Sequence, residues 1–230
     1  MSKTIMITGA NRGIGLEMTC QAAARGDKVI ACCRDAMQAI DLIAIAKQNA
    51  DITVLGLDVC AENDMNNIAA GMTRAIDILV CNAGILNSYG GMLDPKHEHV
   101  AIENVLMTNI AGVFFTARAF LPHVKKETPG KIAVISSIMG SNRQSHSNAP
   151  IYRASKAAAT NLARSMAVEL EPDGIAVGAF HPGWVRTDMG GMEASISPEE
   201  SASGLLARFD ALSLATTGVF ENYKGDEIPF

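Results

Sequence analysis

The feature that most constrains this chain is an alternation. Six short, almost continuously apolar runs, at 4–8, 28–33, 52–57, 76–81, 132–136 and 175–180, are separated by longer stretches of helical character. Short runs rich in Ile, Val and Thr read as strands. Apolar side chains at nearly every position mean that both faces of the sheet are covered, as in parallel sheets crossed over by helices. Helices are predicted near 13–25, 36–49, 62–74, 97–124, 151–171 and 198–210. The fourth carries Leu106, Ile110, Val113, Ala117 and Leu121 at a helical period. Ser197-Pro198-Glu199-Glu200 predicts the start of the last one through a capping box. Such alternation implies an α/β fold, a parallel sheet with helices on both faces. No repeat, low-complexity tract or linker divides residues 1–230, which predicts one domain.

Composition narrows the function. At 230 residues, 48% hydrophobic and 19% charged, the chain can bury a large core without a disulfide or metal and is not a disordered polymer. A net charge of −5 with no Lys/Arg block disfavours nucleic acid or an anionic membrane as partner. The five cysteines, Cys20, Cys32, Cys33, Cys60 and Cys81, are odd in number and match no zinc spacing, so a reduced, cytoplasmic compartment and no metal site are expected. No stretch is read as long and apolar enough to span a bilayer. The apolar N-terminal run passes into a glycine-rich turn rather than a cleavage segment, so it is not read as a signal peptide.

The longest irregular stretches, 84–96, 138–150 and 182–197, all follow predicted strands. In open α/β sheets ligands bind beyond the carboxyl ends of the strands. Thr8-Gly9-Ala10-Asn11-Arg12-Gly13-Ile14-Gly15 follows the first strand and opens the first helix. There glycines permit a tight turn and close approach to a pyrophosphate, and the helix start offers free N–H groups. The second strand ends Ala31-Cys32-Cys33-Arg34, with a cysteine where an acid would bond a ribose 2′-hydroxyl. Arg34 and Arg12 near one phosphate favour NADP(H). Asp35, directly after Arg34, leaves NAD(H) possible.

Tyr152 and Lys156 share one face of a helix by their spacing. An ammonium beside a phenol is expected to lower the tyrosine pKa from about 10 and make Tyr152 an acid/base. Ser136 and Ser137 end the fifth strand, where a hydroxyl can bond a substrate carbonyl oxygen. Asn109 interrupts the apolar stripe of the long helix, which is costly unless its amide is bonded.

Together these residues resemble the short-chain dehydrogenase/reductase family over almost the whole chain. Thr8-Gly9-x-x-x-Gly13-Ile14-Gly15 is similar to its cofactor turn, Asp58-Val59 to its adenine-side contact and Asn82-Ala83-Gly84 to its fourth-strand motif. Asn109, Ser137, Tyr152 and Lys156 are similar to its catalytic tetrad, and Pro182-Gly183 with Val185 and Thr187 to its nicotinamide-side segment. Within the family, His181-Pro182-Gly183-Trp184-Val185-Arg186-Thr187-Asp188-Met189 and the ending Tyr223-Lys224-Gly225 … Pro229-Phe230 resemble the C-factor and sniffer-like carbonyl reductase branch. Two departures stand out. Cys81 replaces the more usual Asn before Asn82, and Ser137 lies farther from Tyr152 than in the commonest form, so Ser136 remains a second candidate for the catalytic serine.

The resemblance implies a doubly wound Rossmann domain of about seven parallel strands in the order 3-2-1-4-5-6-7. It also implies hydride transfer between a nicotinamide and a carbonyl or alcohol carbon of a small molecule. Tyr152 would exchange the proton, Ser137 orient the oxygen, Lys156 lower the Tyr152 pKa and hold the ribose, and Asn109 anchor a water. Homodimers or homotetramers are expected, with the Ala-rich helix 151–171 suited to close pairing. Two other functions stay open: an NAD-linked alcohol dehydrogenase, and a nucleotide-binding signalling protein like C-factor. His146 is a candidate substrate contact, whereas His97, His99 and His181 read as surface or structural residues; Met139, Met189 and Met192 would line an adaptable apolar pocket.

Overall fold

The computed structural model describes residues 2–124 and 129–230. Seven strands form one parallel sheet: β1 Thr4–Thr8, β2 Lys28–Cys33, β3 Ile52–Gly56, β4 Ile78–Cys81, β5 Gly130–Ile135, β6 Ile175–His181 and β7 Phe220–Asn222, in the order β3-β2-β1-β4-β5-β6-β7. The helices are α1 Gly13–Ala24, α2 Ile40–Gln48, α3 Glu62–Gly71, α4 His99–Leu106, α5 Gly112–Phe120, α6 Pro150–Leu170 and α7 Pro198–Ala211.

The period of two along a strand sorts side chains between two cores. Met6 of β1 joins Met65 of α3, Phe120 of α5 and Ala159 and Ala163 of α6. Its neighbours Ile5 and Ile7 join Met18 of α1, Leu42 of α2 and Phe209 of α7. In the second core Phe180 and Phe209 meet edge to face at 5.1 Å. Fully burying each such side chain is worth roughly 1.5–3 kcal/mol. Ile5 pairs with Val29 on one side and Ile78 on the other, so β1 is central and the segment following it lies at the point where the strand order reverses.

Several expected boundaries shift for physical reasons. The helix expected from residue 36 starts at Ile40, because Asp35 Oδ1 accepts from the N–H groups of Met37 and Gln38 and folds that stretch into a turn. Ser197 caps α7 by accepting from Glu200 N–H at 3.2 Å, but the expected box is only half made: the Glu200 carboxylate accepts from the Tyr223 hydroxyl at 2.9 Å. The helix expected over 97–124 is continuous in course yet changes type, with a π segment Met107–Ala111 between α4 and α5 and a 3-10 turn Leu121–His123 after them. That run also corrects the reading that no stretch is long and apolar enough to span a bilayer. His99–His123 is long and apolar enough to span a bilayer by length and composition, although Val113, Ala117 and Phe120 pack it into the core. On α6, Ala159, Ala163 and Ala167 are buried within the chain, whereas Ala154 is exposed and Ala157 and Ala158 are half-buried.

Candidate active site

The turn after β1 is held by Thr8 and Asn82. Thr8 Oγ1 accepts from the N–H groups of Asn82 and Ala83, each at 3.0 Å. Asn82 Nδ2 donates back to the carbonyls of Thr8 at 2.8 Å and Gly9 at 3.2 Å. This stitches the ends of β1 and β4 together and brings their loops side by side. Gly9 has φ +66° and lies against Ala83, where a Cβ would be 3.0 Å from its Cα. At Gly15 a Cβ would sit 2.3 Å from the Gly9 carbonyl oxygen. At Gly13 it would meet Thr187 at 3.2 Å, so Thr187 stands directly over the turn.

The first turn of α1 has no side-chain cap and no acidic residue. Its unpaired N–H groups and positive dipole end suit an anionic group, and the glycines leave room for one. The residues present therefore fit a dinucleotide. The others expected around it are spread along the same edge. Asn11 is half-buried in the turn, and Ile14 packs on the second core. Asp58 Oδ1 accepts from Cys60 N–H. Val59 turns its side chain into the core, against Gly112. Pro182 accepts from the Ser201 hydroxyl at 2.7 Å, Gly183 takes φ +88°, and Val185 is buried.

The two arginines have different surroundings. Arg34 is exposed at the end of β2, whereas Arg12 Nη1 donates to Asp188 Oδ2 at 2.8 Å. Asp35 commits one carboxylate oxygen to its own turn.

Asn109, Ser137, Tyr152 and Lys156 do converge, and each is buried. Asn109 lies in the π segment, a type of irregularity often found at functional sites. It accepts from Ile85 N–H and donates to the Ile85 carbonyl and the Ser155 hydroxyl. Gly84 separates it from Lys156: a Cβ there would be 3.2 Å from Lys156 Nζ and 3.4 Å from Asn109 Oδ1. Lys156 Nζ donates to the Ile135 carbonyl at 2.8 Å and lies 5.7 Å from the centre of the Tyr152 ring. Gly140 lets the 3-10 turn after Ser137 press on α6, since a Cβ would come within 2.6 Å of the Lys156 carbonyl carbon.

The two serines take different surroundings. Ser136 donates to the Lys156 carbonyl at 3.0 Å and bonds Thr160 Oγ1 at 2.6 Å. The Ser137 hydroxyl accepts from Met139 N–H and pulls the Tyr152 pKa down.

Protonation differs from the expectation. Burial pushes the Tyr152 phenol up to about 12, against the opposing pull of the Ser137 hydroxyl and with a small further rise from Tyr89. Burial brings Lys156 down to about 8. Lys156 is not among the causes of the Tyr152 shift; desolvation dominates at both groups.

Three loops close around the site. The Tyr89 hydroxyl donates to the Met189 carbonyl at 2.8 Å, and Ala149 N–H donates to the Gly90 carbonyl at 2.8 Å. A cavity of about 300 Å³ between the first and last loops is lined by Arg12, Asn87, Tyr89, Lys96, Asp188 and Met189 among others. Of the expected pocket methionines, Met189 lines it, Met139 is half-buried beside Ser137 and Met192 is 83% exposed. His146 is exposed. Tyr89 is marked in the sequence only by its position in an irregular stretch after a strand, and Asp188 only as a member of the motif from His181 to Met189.

A family model described as short chain dehydrogenase matches residues 3–196. The chain is 33% identical over 159 residues to the C-signal protein of Myxococcus xanthus, covering 69% of this chain and 95% of that one. The carbonyl reductase Sniffer of D. melanogaster superposes with a TM-score of 0.92 at 27% identity over the whole of both chains. The NADPH-bound carbonyl reductase from chicken fatty liver gives 0.90 at 28% identity, covering 100% of this chain and 99% of that one.

Proposed function

This chain belongs to the short chain dehydrogenase family, and we propose that it is an NADP(H)-dependent reductase of small aldehydes or ketones with Tyr152 as the general acid. One observation carries the reading: Tyr152 is buried together with Ser137, Lys156 and Asn109, and that burial pushes its phenol up to about 12. Reduction needs a donor that keeps its proton at neutral pH, and this phenol keeps it. A substrate carbonyl oxygen beside Ser137 and Tyr152 would receive one hydrogen bond from each. Proton transfer from Tyr152 Oη then neutralises the alkoxide as it forms.

A dinucleotide, held by the turn from Gly9 to Gly15, the Asn82–Gly84 segment and Pro182–Thr187, would supply the hydride. Lys156 and Asn109 frame Gly84 at that edge, and Asn109 Oδ1 keeps a second lone pair for a water. Arg12 and Arg34 would take a ribose 2′-phosphate. The commitment of Asp35 to its own turn supports NADP(H) over the NAD-linked alternative. Homodimers or homotetramers in the cytoplasm belong to the same proposal.

The test is a titration with NADPH and NADH side by side, followed by nicotinamide fluorescence, then a panel of aldehydes and ketones. Tighter NADPH binding and turnover of some of the panel are expected; preference for NADH, or no turnover at all, would sink the reading. Similarity to C-signal favours a second reading, a signalling role that needs nucleotide binding but no turnover. A phenotype that survives Tyr152→Phe but not loss of cofactor binding would favour it.

A further inference from the structure

The ion pair between Arg12 and Asp188 joins the first ligand loop of the fold to the last. Thr187 over Gly13 ties the same two loops, and the Tyr89 hydroxyl on the Met189 carbonyl ties the loop after β4 to the last one. Asp188 differs from other loop carboxylates. Asp35, Asp58 and Asp94 each accept from backbone N–H groups two residues on and so shape their own turns. Among the described residues the Asp188 carboxylate bonds Arg12 alone.

We propose that Asp188 is a specificity-determining residue: it competes with a ribose 2′-phosphate for the Arg12 guanidinium and so sets how strongly the chain prefers a phosphorylated dinucleotide. The proposal rests on the NADP(H) reading above. Carboxylate and phosphate both match the planar fork of a guanidinium, so each is a strong claimant on it. The pair is well exposed, with side chains 64% and 77% accessible, so solvent screens it and the competition is modest, about two- to fivefold in affinity. Removing the Asp188 charge also relieves general repulsion of the pyrophosphate, but that acts on both dinucleotides alike. The ratio between them isolates the competition.

The test measures dissociation constants of NADPH and NADH by nicotinamide fluorescence for the wild type, Asp188→Asn, Arg12→Ala and the double variant. Asp188→Asn is expected to tighten NADPH about two- to fivefold more than NADH, and that surplus should vanish when Arg12 is absent. A shift equal for both dinucleotides, including no shift, overturns the proposal; so does a surplus that persists without Arg12. The underlying reading fails separately: if Arg12→Ala weakens NADPH no more than NADH, Arg12 does not hold the 2′-phosphate and the proposal falls with it.

Discussion

Asn109 and Ile85 exchange two hydrogen bonds, Oδ1 accepting from the Ile85 N–H at 2.8 Å and Nδ2 donating to the Ile85 carbonyl at 2.9 Å. A single side-chain amide thus satisfies the whole peptide complement of a loop residue, as a neighbouring strand would. Asn109→Ala leaves both groups and the Ser155 hydroxyl short of a partner. The expected loss is about 2–4 kcal/mol, mostly from the two Ile85 groups left unpaired, since the Ser155 hydroxyl still donates to the Tyr152 carbonyl. Urea unfolding measures it, and a loss under 1 kcal/mol would mean that water replaces the amide without cost.

Tyr152→Phe removes the one proton donor and little packing. Turnover should fall about 10²- to 10⁴-fold, with stability changed by no more than about 1 kcal/mol. Single-turnover rates with a reducible carbonyl and a parallel denaturation curve separate these effects. Retained turnover would assign the acid elsewhere.

The neighbouring serines should separate chemistry from stability. Ser137→Ala is expected to lower kcat at least tenfold and barely move the melting temperature. Ser136→Ala should cost about 1–2 kcal/mol through its lost bonds to Lys156 and Thr160 and leave kcat within a few-fold. The reverse pattern would make Ser136 the catalytic serine.

His181 predicts a pH dependence of stability. Among the described residues its buried Nδ1 has no partner, and burial lowers its pKa from 6.5 to about 4. The fold therefore disfavours the protonated ring. Above pH 6.5 both states are neutral and nothing is lost. As pH falls toward 4 the unfolded chain takes up the proton first, and up to about 3 kcal/mol of stability disappears. Urea midpoints of the wild type and His181→Asn, measured between pH 8 and 4, should diverge as the pH falls; parallel curves would show that His181 titrates normally.

Much of the fold was legible because buried parallel strands announce themselves. Ile5, Met6 and Ile7 are apolar in succession since both faces are covered. The seventh strand could not be located in this way: Phe220-Glu221-Asn222 is short and carries Glu221, whose carboxylate is bound by Arg208. The π segment was invisible too, because Asn109 keeps an apolar stripe around it and only backbone bonding distinguishes helix types. The ordered motifs marked the residues that converge at the candidate site, but local spacing misjudged their electrostatics. Tyr152 and Lys156 share a helical face as expected, yet their protonation follows from burial by β5 and the surrounding loops, which no i, i+4 argument contains. The Arg12–Asp188 pair joins residues 176 positions apart and had no local signature.

Ala149 is the one described non-glycine residue with positive φ, at +48°, and it directly precedes the helix that carries Tyr152 and Lys156. Its N–H is held by the Gly90 carbonyl from another loop. An unfavourable backbone state persists only where its surroundings insist on it. The starting point of α6 is therefore dictated partly from outside its own stretch of chain. For anyone exchanging parts between homologous enzymes, the loop after β4 and the first turn of α6 form a single transplantable cassette, and moving either half alone would hand the recipient a misaligned tyrosine.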